Sequence, residues 1–509
     1  MKIAVVGGGT AGWITALYVK KIYPESTVTL IESKEIGILG AGEGATPQII
    51  DLLDFLEIPV SEFIKKCNTT IKNGIKFVNW QEKEKSFYYH PFLIKTNLET
   101  SSYTNSSFLQ KNLSSFNEIY SANLLQEEKD YSLISKISEL NKAPFIKNNS
   151  YMYTNPIEQY DSQSNYSIHF DANLFANYLS FIGEKRGIVR VEGIVESIKT
   201  DATGNISELE LKNKKINVDF VFDCSGFRRL IIGNFYKSKW KSHKDTLASK
   251  KAIPFFMPID KSIPPYTEST AMDYGWMWKI PLQHRYGCGY VFDSDYVSED
   301  EAKKELDKFI GYEVESPKTF NFEPGCYEEI WIKNCIAIGL SSGFVEPLEA
   351  TSVWQSIIVL KRFLSDSSNI SNKNKYNIDK FNKHYLDEVQ EVVDFLYLHY
   401  ITNKKNTNFW KDYRKNNKTP DFVEYILEVC KNRPLYDEFD FSNKKLFTSF
   451  SYSKIIIGNG LLSKDIIKSY KNNIKIYNEE DYIKMIKNQN LIIESFIGHN
   501  KFLIELSKE

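Results

Sequence analysis

KIAVVGGGTAGWITALYVKKIYPESTVTLIE, residues 2–32, opens on a short apolar β-branched run and breaks at Gly7, Gly9 and Gly12. It resumes with helical spacing through WITALYVKKIY and closes on a second β-rich run, TVTLI. The order is strand, tight turn, helix, strand, a βαβ unit completed within about 30 residues. Its glycines permit a turn tight enough for a pyrophosphate to sit at the helix N-terminus, where N–H groups and the helix dipole favour negative charge. Glu32, twenty positions beyond Gly12, is placed to accept hydrogen bonds from ribose hydroxyls. Gly7, Gly9, Thr10, Ala11, Gly12 and Glu32 therefore read as a dinucleotide-binding fingerprint, one that does not by itself separate FAD from NAD.

Three later segments tilt the cofactor to FAD. GAGEGATP (40–47) is a second glycine-rich loop and contains Ala41. FDCSGFRRL (222–230) sets Asp223 and Gly226 at a strand end, as in flavoproteins where such a loop touches the ribityl chain or pyrophosphate. AIGLSSGFVEPLEATS (337–352) is a late strand, turn and helix that brings in Gly339 and Leu340. Each segment is weak alone; together, in this order, they specify an α/β protein with an FAD-binding Rossmann-like core. Val195, in the β-rich stretch IVRVEGIVESIKT (188–200), is counted with the cofactor-binding residues.

Outward from that core, Ile49, Leu52, Leu53, Phe55 and Leu56 have helical spacing after Thr46-Pro47, and GIKFVNW (74–80) reads as a strand. DANLFANYLSFIGEKRG (171–187) is a self-contained helix signal, with Asp171 as N-cap and Gly187 as terminator. AMDYGWMWKIPL and GCGYVFDS alternate like neighbouring strands, and NCIAIGL (334–340) has a buried-strand pattern. Residues 95–125 and 145–167 are rich in Ser, Asn, Thr and Tyr and read as loops or a lid. SDSSNISNKNKYN (365–377) reads as a linker, the chain is mainly helical to about residue 430, and the rest has no clear pattern. The expected division is 1–92 and 168–260 as two parts of the FAD core and 93–167 as inserted loops, lid and substrate module. A substrate-side sheet follows at 261–325, then a strand-turn-helix returning to the cofactor at 326–365 and a mainly helical substrate module at 366–509.

Composition narrows the chemistry. Over 509 residues, 42% are hydrophobic and 25% charged, ordinary for a folded protein. With 64 basic against 65 acidic residues, the net charge of -1 builds no footprint for a nucleic-acid backbone. Six cysteines without a CxxC pair fit a reducing compartment, and seven histidines without metal-ligand spacing imply no metal site. The glycine run interrupts any signal-peptide core, and no window approaches the roughly 18–20 apolar residues of a membrane span. A cytoplasmic location is expected, with no nucleic-acid or membrane partner; a homo-oligomer is left open.

GWMWKIP (275–281), CNTTIKNGIKFVNW (67–80) and FVEPLEATS (344–352) resemble three motifs of flavin-dependent halogenases of the tryptophan-halogenase type, a resemblance that covers about residues 1–415. It implies FAD used as FADH2 from a separate reductase, a halide ion, hypohalous acid as oxidant, and electrophilic halogenation of an electron-rich indole- or phenol-type ring. In that family Trp276 and Trp278 exclude ordinary monooxygenation; on a strand, residues i and i+2 share one face. The resemblance makes Lys72 the lysine that receives the hypohalous acid, either as a hydrogen-bonded acid or as a chloramine-like adduct, chemistry suited to an amine taken out of water. It makes Glu349 the carboxylate that orients the electrophile or accepts the ring proton, Thr351 and Ser352 the halide holders, and Glu346 a supporting residue. Many family members read Ser-Thr-Gly where this chain reads Ala-Thr-Ser, so the serine in place of glycine is expected to alter the halide pocket's size and backbone. His90 and Phe92 match a substrate-sandwiching pair, and His169 and Asp171 look like flavin-side scaffold. The clamp for the amino-acid end of tryptophan finds no match after about residue 430. An FAD-dependent aromatic monooxygenase and a non-catalytic flavoprotein remain as alternatives.

Overall fold

The structure is a computed structural model that describes residues 1–35, 42–81, 86–92, 133–148, 156–316, 318–371, 374–403, 405–416, 418–433, 435, 440–444, 446–461 and 491–507. Ala41 and the expected lid at 95–125 lie outside the described residues. The chain forms two compact units: Met1–Thr69, Phe170–Leu247 and Phe322–Gln390 make the first, and Thr70–His169, Ala248–Asn321 and Glu391–Glu509 the second. Residues 70–92, expected in the FAD core, thus fall in the second unit.

In the first unit a six-stranded sheet runs in the order Val189–Glu192, Thr27–Glu32, Lys2–Val6, Phe220–Asp223, Cys335–Ala337, Trp331–Ile332. The first five strands are parallel and the last pair antiparallel. Ile3, Ala4 and Val5 are buried, the unbroken apolar run expected of a parallel strand covered on both faces. The helix Thr10–Ile22 follows the glycine turn, and the helix Ala172–Lys185 packs on it at Gly183, where a Cβ would stand 2.7 Å from the Trp13 ring. Asp171 caps that second helix through the Asn173 and Leu174 N–H groups, and Gly187 ends it at φ +80.

The second unit is built on a seven-stranded sheet in the order Phe320–Asn321, Lys251–Pro258, Arg285–Phe292, Gly275–Pro281, Thr267–Ala271, Gly74–Val78, Phe87–Pro91. All neighbours are antiparallel except Thr267–Ala271 with Gly74–Val78. Phe255, Met277, Cys288 and Tyr290 form a core with Ala302 and Leu306 of the helix Glu299–Ile310, whose start is fixed by a Ser298–Glu301 capping box. The loop reading of 145–167 is corrected in part, residues 149–155 lying outside the described residues. Lys142–Lys147, Tyr160–Ser162 and Ser167–Phe170 are strands, the first paired with Phe496–Gly498, some 350 residues away. Pairing from so far along the chain leaves no local signature in a polar segment. Among the described residues no helix is long and apolar enough to cross a membrane.

The short strand Thr70–Lys72 pairs antiparallel with Ser167–His169: Thr70 opposite His169, Ile71 opposite Ile168, Lys72 opposite Ser167. The Thr70 hydroxyl donates to the Pro281 carbonyl at 2.6 Å, so it accepts from His169 Nδ1 at 2.9 Å, which leaves His169 Nε2 to accept from the Thr267 hydroxyl at 2.9 Å. The Ile71 N–H donates to His499 Nε2 at 3.0 Å, and His499 Nδ1 donates to the Ile263 carbonyl at 2.9 Å. Both imidazoles are fully buried and act as neutral acceptors, and burial holds both below the ordinary histidine range.

Burial lowers His499 from 6.5 to about 4, partly opposed by its bond to Ile263. Between those values the unfolded chain binds a proton that the folded chain refuses, so His499 subtracts stability as pH falls from 6.5 towards 4 and has no such effect above. The thermal midpoint, followed from pH 7 to pH 4.5, should fall more steeply for the unaltered protein than for His499→Gln. Parallel curves would show that His499 titrates as an ordinary histidine.

Candidate functional site

The cofactor cradle in the first unit starts from the glycine turn. The helix Thr10–Ile22 is capped by Gly9 with no side-chain hydrogen bond and no acid in its first turn, which keeps its terminal N–H groups turned to an anion. Gly7 lies at φ +124, and a Cβ there would stand 2.0 Å from the Cys224 carbonyl oxygen. A Cβ at Gly12 would stand 1.9 Å from the Gly7 carbonyl oxygen, so turn, helix and strand approach closer than any side chain allows. At Gly9 a Cβ would meet nothing within 4 Å, so open space adjoins those N–H groups. Glu32 reaches back over the turn, with Oε2 1.6 Å from where a Gly8 Cβ would be, and its Oε1 pairs with the Arg190 guanidinium. Open tip, uncapped helix and overhanging carboxylate fit the pyrophosphate and ribose of FAD.

Asp223 does something different. Its Oδ1 accepts from the Ser225 N–H at 3.1 Å and hydroxyl at 2.6 Å, and its Oδ2 from the Ile231 and Ile232 N–H groups at 2.9 and 3.0 Å. Fully buried, the carboxylate positions the loop after its strand. Its carbonyl accepts the Ile338 N–H at 2.9 Å, drawing the late turn to the same strand end. Gly339, at φ +76, would place a Cβ 2.8 Å from that of Ala11, so Ala11, Gly339 and the half-buried Leu340 meet at the first helix. Val195 is buried at the start of a three-stranded antiparallel sheet, two residues after Gly193, whose N–H donates to the Glu32 carbonyl at 2.8 Å.

The helix Thr351–Ser365 begins at Ala350, which adopts left-handed φ 55, ψ 37 and caps it with no side-chain bond. For an alanine that conformation costs roughly 1–2 kcal/mol, a concentration of strain beside the expected halide position. Glu346 and Glu349 are buried just before this cap, Thr351 is buried, and Ser352 is half-buried. The expected backbone change at Ser352 is absent: the residue lies in the first helical turn, where φ suits any residue, and its carbonyl accepts the Ser356 hydroxyl at 2.9 Å. What serine adds there is a side chain.

In the second unit Lys72 is 1% exposed, its Nζ 5.7 Å from the centroid of the Phe92 ring. Phe92 is tied down by its N–H to the Asn73 carbonyl at 2.8 Å. His90, on the strand Phe87–Pro91, has Nε2 3.1 Å from the Ser451 hydroxyl and its ring edge-on to Phe395 at 5.5 Å. Trp276 and Trp278 share one face, their ring centroids 6.1 Å apart. The Trp276 Nε1–H donates to the Tyr400 hydroxyl at 3.0 Å, and Trp278 lies over Gly289, where a Cβ would stand 2.1 Å from the indole. His169, read as flavin-side scaffold, instead locks the strand that carries Lys72; Asp171 does cap a helix of the first unit.

Two features escaped the sequence. Glu43, half-buried in the first unit, is pushed up to about 7 by burial, with the Thr10 side chain opposing and the Asp171 charge adding. Its place in the glycine-rich GAGEGATP loop was the available signal, but only burial beside Thr10 makes it unusual. His499 had no signal at all, because its partners Ile71 and Ile263 are more than 230 residues away.

The chain matches the model of the tryptophan halogenase family over residues 2–473. It is 33% identical to tryptophan 6-halogenase SttH of Streptomyces toxytricini, a match spanning 91% of this chain and 90% of the relative. It is 30% identical to tryptophan 7-halogenase RebH of Lentzea aerocolonigenes, with 91% and 90% covered. The solved structure of SttH superposes with a TM-score of 0.85 at 28% identity, covering 99% of each chain. That of BrvH, a flavin-dependent halogenase from Brevundimonas sp. BAL3, gives 0.81 at 26%, again covering 99% of each. With its Rossmann-like core and this likeness along nearly its whole length, the chain belongs to the tryptophan halogenase family of flavin-dependent halogenases.

Proposed function

We propose that this enzyme halogenates an electron-rich ring of the indole or phenol type by passing the halogen through Lys72, using FADH2 from a separate flavin reductase in the cytoplasm. The observation that carries this reading is the burial of the Lys72 amine beside the Phe92 ring. The six free, buried cysteines support the reducing compartment.

Bound as FADH2, the flavin with O2, halide and a proton supplies hypohalous acid, leaving FAD and water. Gly7, Gly9, Thr10, Ala11, Gly12 and Glu32 hold its pyrophosphate and ribose, with Ala41, Val195, Gly339 and Leu340 lining the approach and Asp223 bracing the loop beside them. Thr351 and Ser352 hold the halide through first-turn N–H groups. Lys72 either hydrogen-bonds the acid, so that its oxygen leaves as water, or forms an N–halogen bond with loss of water and passes the halogen to the ring carbon. In either route the ring loses one proton, which Glu349 accepts. His90 and Phe92 contact the ring; Trp276 and Trp278 keep bulky substrate from the cofactor. SttH and RebH are named for tryptophan, and the same ring chemistry serves any indole.

Lys72→Ala should abolish halogenated product while leaving FAD affinity and flavin oxidation nearly intact, and Glu349→Gln should slow product formation by about 10²-fold. Loss of FAD binding in Lys72→Ala, measured by titration, would make the lysine structural.

The pure protein with FAD and NADH but no reductase should show negligible turnover. Rapid NADH oxidation would remove the need for a partner.

Chloride, the smallest of the three halides, sheds its water at greatest cost and depends most on close N–H donors, and the Ser352 side chain stands at those donors. In mixed halide, mass spectrometry of one substrate should show more bromide or iodide product than chloride product, and Ser352→Gly should shift the ratio towards chloride. Dominant chloride product in the unaltered enzyme overturns the halide argument alone.

A further inference from the structure

The strand that carries Lys72 has three residues, and one of its edges is occupied by Ser167–His169. Antiparallel pairing alternates along a strand, so the Ile71 N–H points to the opposite edge. That buried donor needs an acceptor, and a side chain supplies it: His499 Nε2, at 3.0 Å. The ring is aimed by its surroundings. His499 opens the helix His499–Ser507, its own N–H donates to the Asn141 carbonyl at 2.8 Å, and its Nδ1 is held by the Ile263 carbonyl at 2.9 Å. Asn500 accepts the Ile263 N–H at 2.9 Å and donates to the Lys261 carbonyl at 2.7 Å. Phe502 stacks on Phe145 with ring centroids 4.4 Å apart. On either side of Ile71 the neighbours are held as well: Thr70 by His169 and Pro281, Asn73 by its N–H to the Pro265 carbonyl at 2.7 Å.

Resting on the reading of Lys72 as the halogen carrier, we infer that His499 is a positioning residue for halogen transfer, fixing through Ile71 where the Lys72 amine stands. The last helix of the chain is thereby part of the lysine site. The Lys72 side chain leaves the strand one residue from the bonded N–H, so a shift of the strand moves the amine by a comparable distance. Misplacement of a reacting group by about 1 Å is enough to cost orders of magnitude in rate. Making hypohalous acid does not involve this strand; delivering it to the ring does. A displaced strand therefore uncouples the two, and oxidant escapes.

The test uses the full chain with FAD, reductase, halide and one indole, in four variants. His499→Phe fills the space without an acceptor; His499→Gln offers an amide oxygen where Nε2 stood; His499→Asn is too short to reach Ile71. Asn500→Ala loosens the same helix start but leaves the Ile71 bond. Halogenated product per O2 consumed, hypohalous acid trapped by a β-diketone, kcat, KM and melting temperature are read together. His499→Phe should lose roughly 10-fold or more in product per O2, with trapped oxidant rising, flavin oxidation unchanged and the loss in kcat rather than KM. His499→Gln should recover most of the yield, His499→Asn should not, and Asn500→Ala, which spares the Ile71 bond, should lower the melting temperature and cost far less product per O2 than His499→Phe. Full yield in His499→Phe, or equal losses in His499→Phe and Asn500→Ala, overturns the inference. If His499→Phe does not fold, equal yields from the Gln and Asn variants overturn it. Lys72→Ala run alongside separates the two ideas: product surviving that substitution sinks the lysine reading, whereas product lost there but intact in His499→Phe sinks only the role of His499.

Discussion

The close approach of Gly7 to Cys224 governs the first unit. The strand Lys2–Val6 lies between Thr27–Glu32 and Phe220–Asp223, with Val6 level with both Ile31 and Asp223. The three strands therefore end together, and the turn after the central one must fold over the loop after its neighbour. Only a residue without a Cβ passes there. Once it does, the helix start, the Asp223 loop and the late turn at Gly339 converge on one sheet end, where parallel α/β sheets take their ligands. A substitution at Gly7 would disturb all three at once, although they are far apart in sequence.

The second unit solves a different problem, that of keeping an amine and its supports out of water. Burial of polar groups is tolerated where each finds a partner. On the strand that carries Lys72, two imidazoles are such partners for its neighbours: His169 lies between Thr70 and Thr267, and His499 between Ile71 and Ile263. A protonated His499 would set its Nε2–H against the Ile71 N–H, and burial holds both rings below the ordinary histidine range. A neutral imidazole at 499 accepts from the Ile71 N–H without adding a charge to the buried strand.

Chain order and spatial order part company here. The glycine turn, Glu32 and Asp223 belong to the first unit, whereas Lys72, Phe92, His90 and the two tryptophans belong to the second. The hypohalous acid of the proposed route would attack almost any exposed thiol. All six cysteines are buried, with Cys67, Cys224 and Cys288 further disfavoured as thiolates by burial. The thiols are therefore poorly available to such an oxidant.

The sequence by itself determined the Rossmann-like core, the helix from Asp171 to Gly187 and the pairing of the GWMWKIP strand with the strand Arg285–Phe292. Each is encoded by local rules: a glycine spacing, a cap and a terminator, an alternation between neighbouring segments. It also singled out Lys72, Glu349 and the two tryptophans as candidates, because the motifs that carry them are contiguous. Tertiary structure alone decided that Asp223 braces its loop, that Ser352 sits in an ordinary helical turn while Ala350 carries the left-handed strain, and that Lys142–Lys147 and Tyr160–Ser162 are strands. It alone joined His499 to Ile71. Those outcomes depend on which distant N–H, carbonyl or ring each group meets once the chain is packed, and hydrogen bonds between residues hundreds of positions apart leave no periodicity for a one-dimensional reading to find.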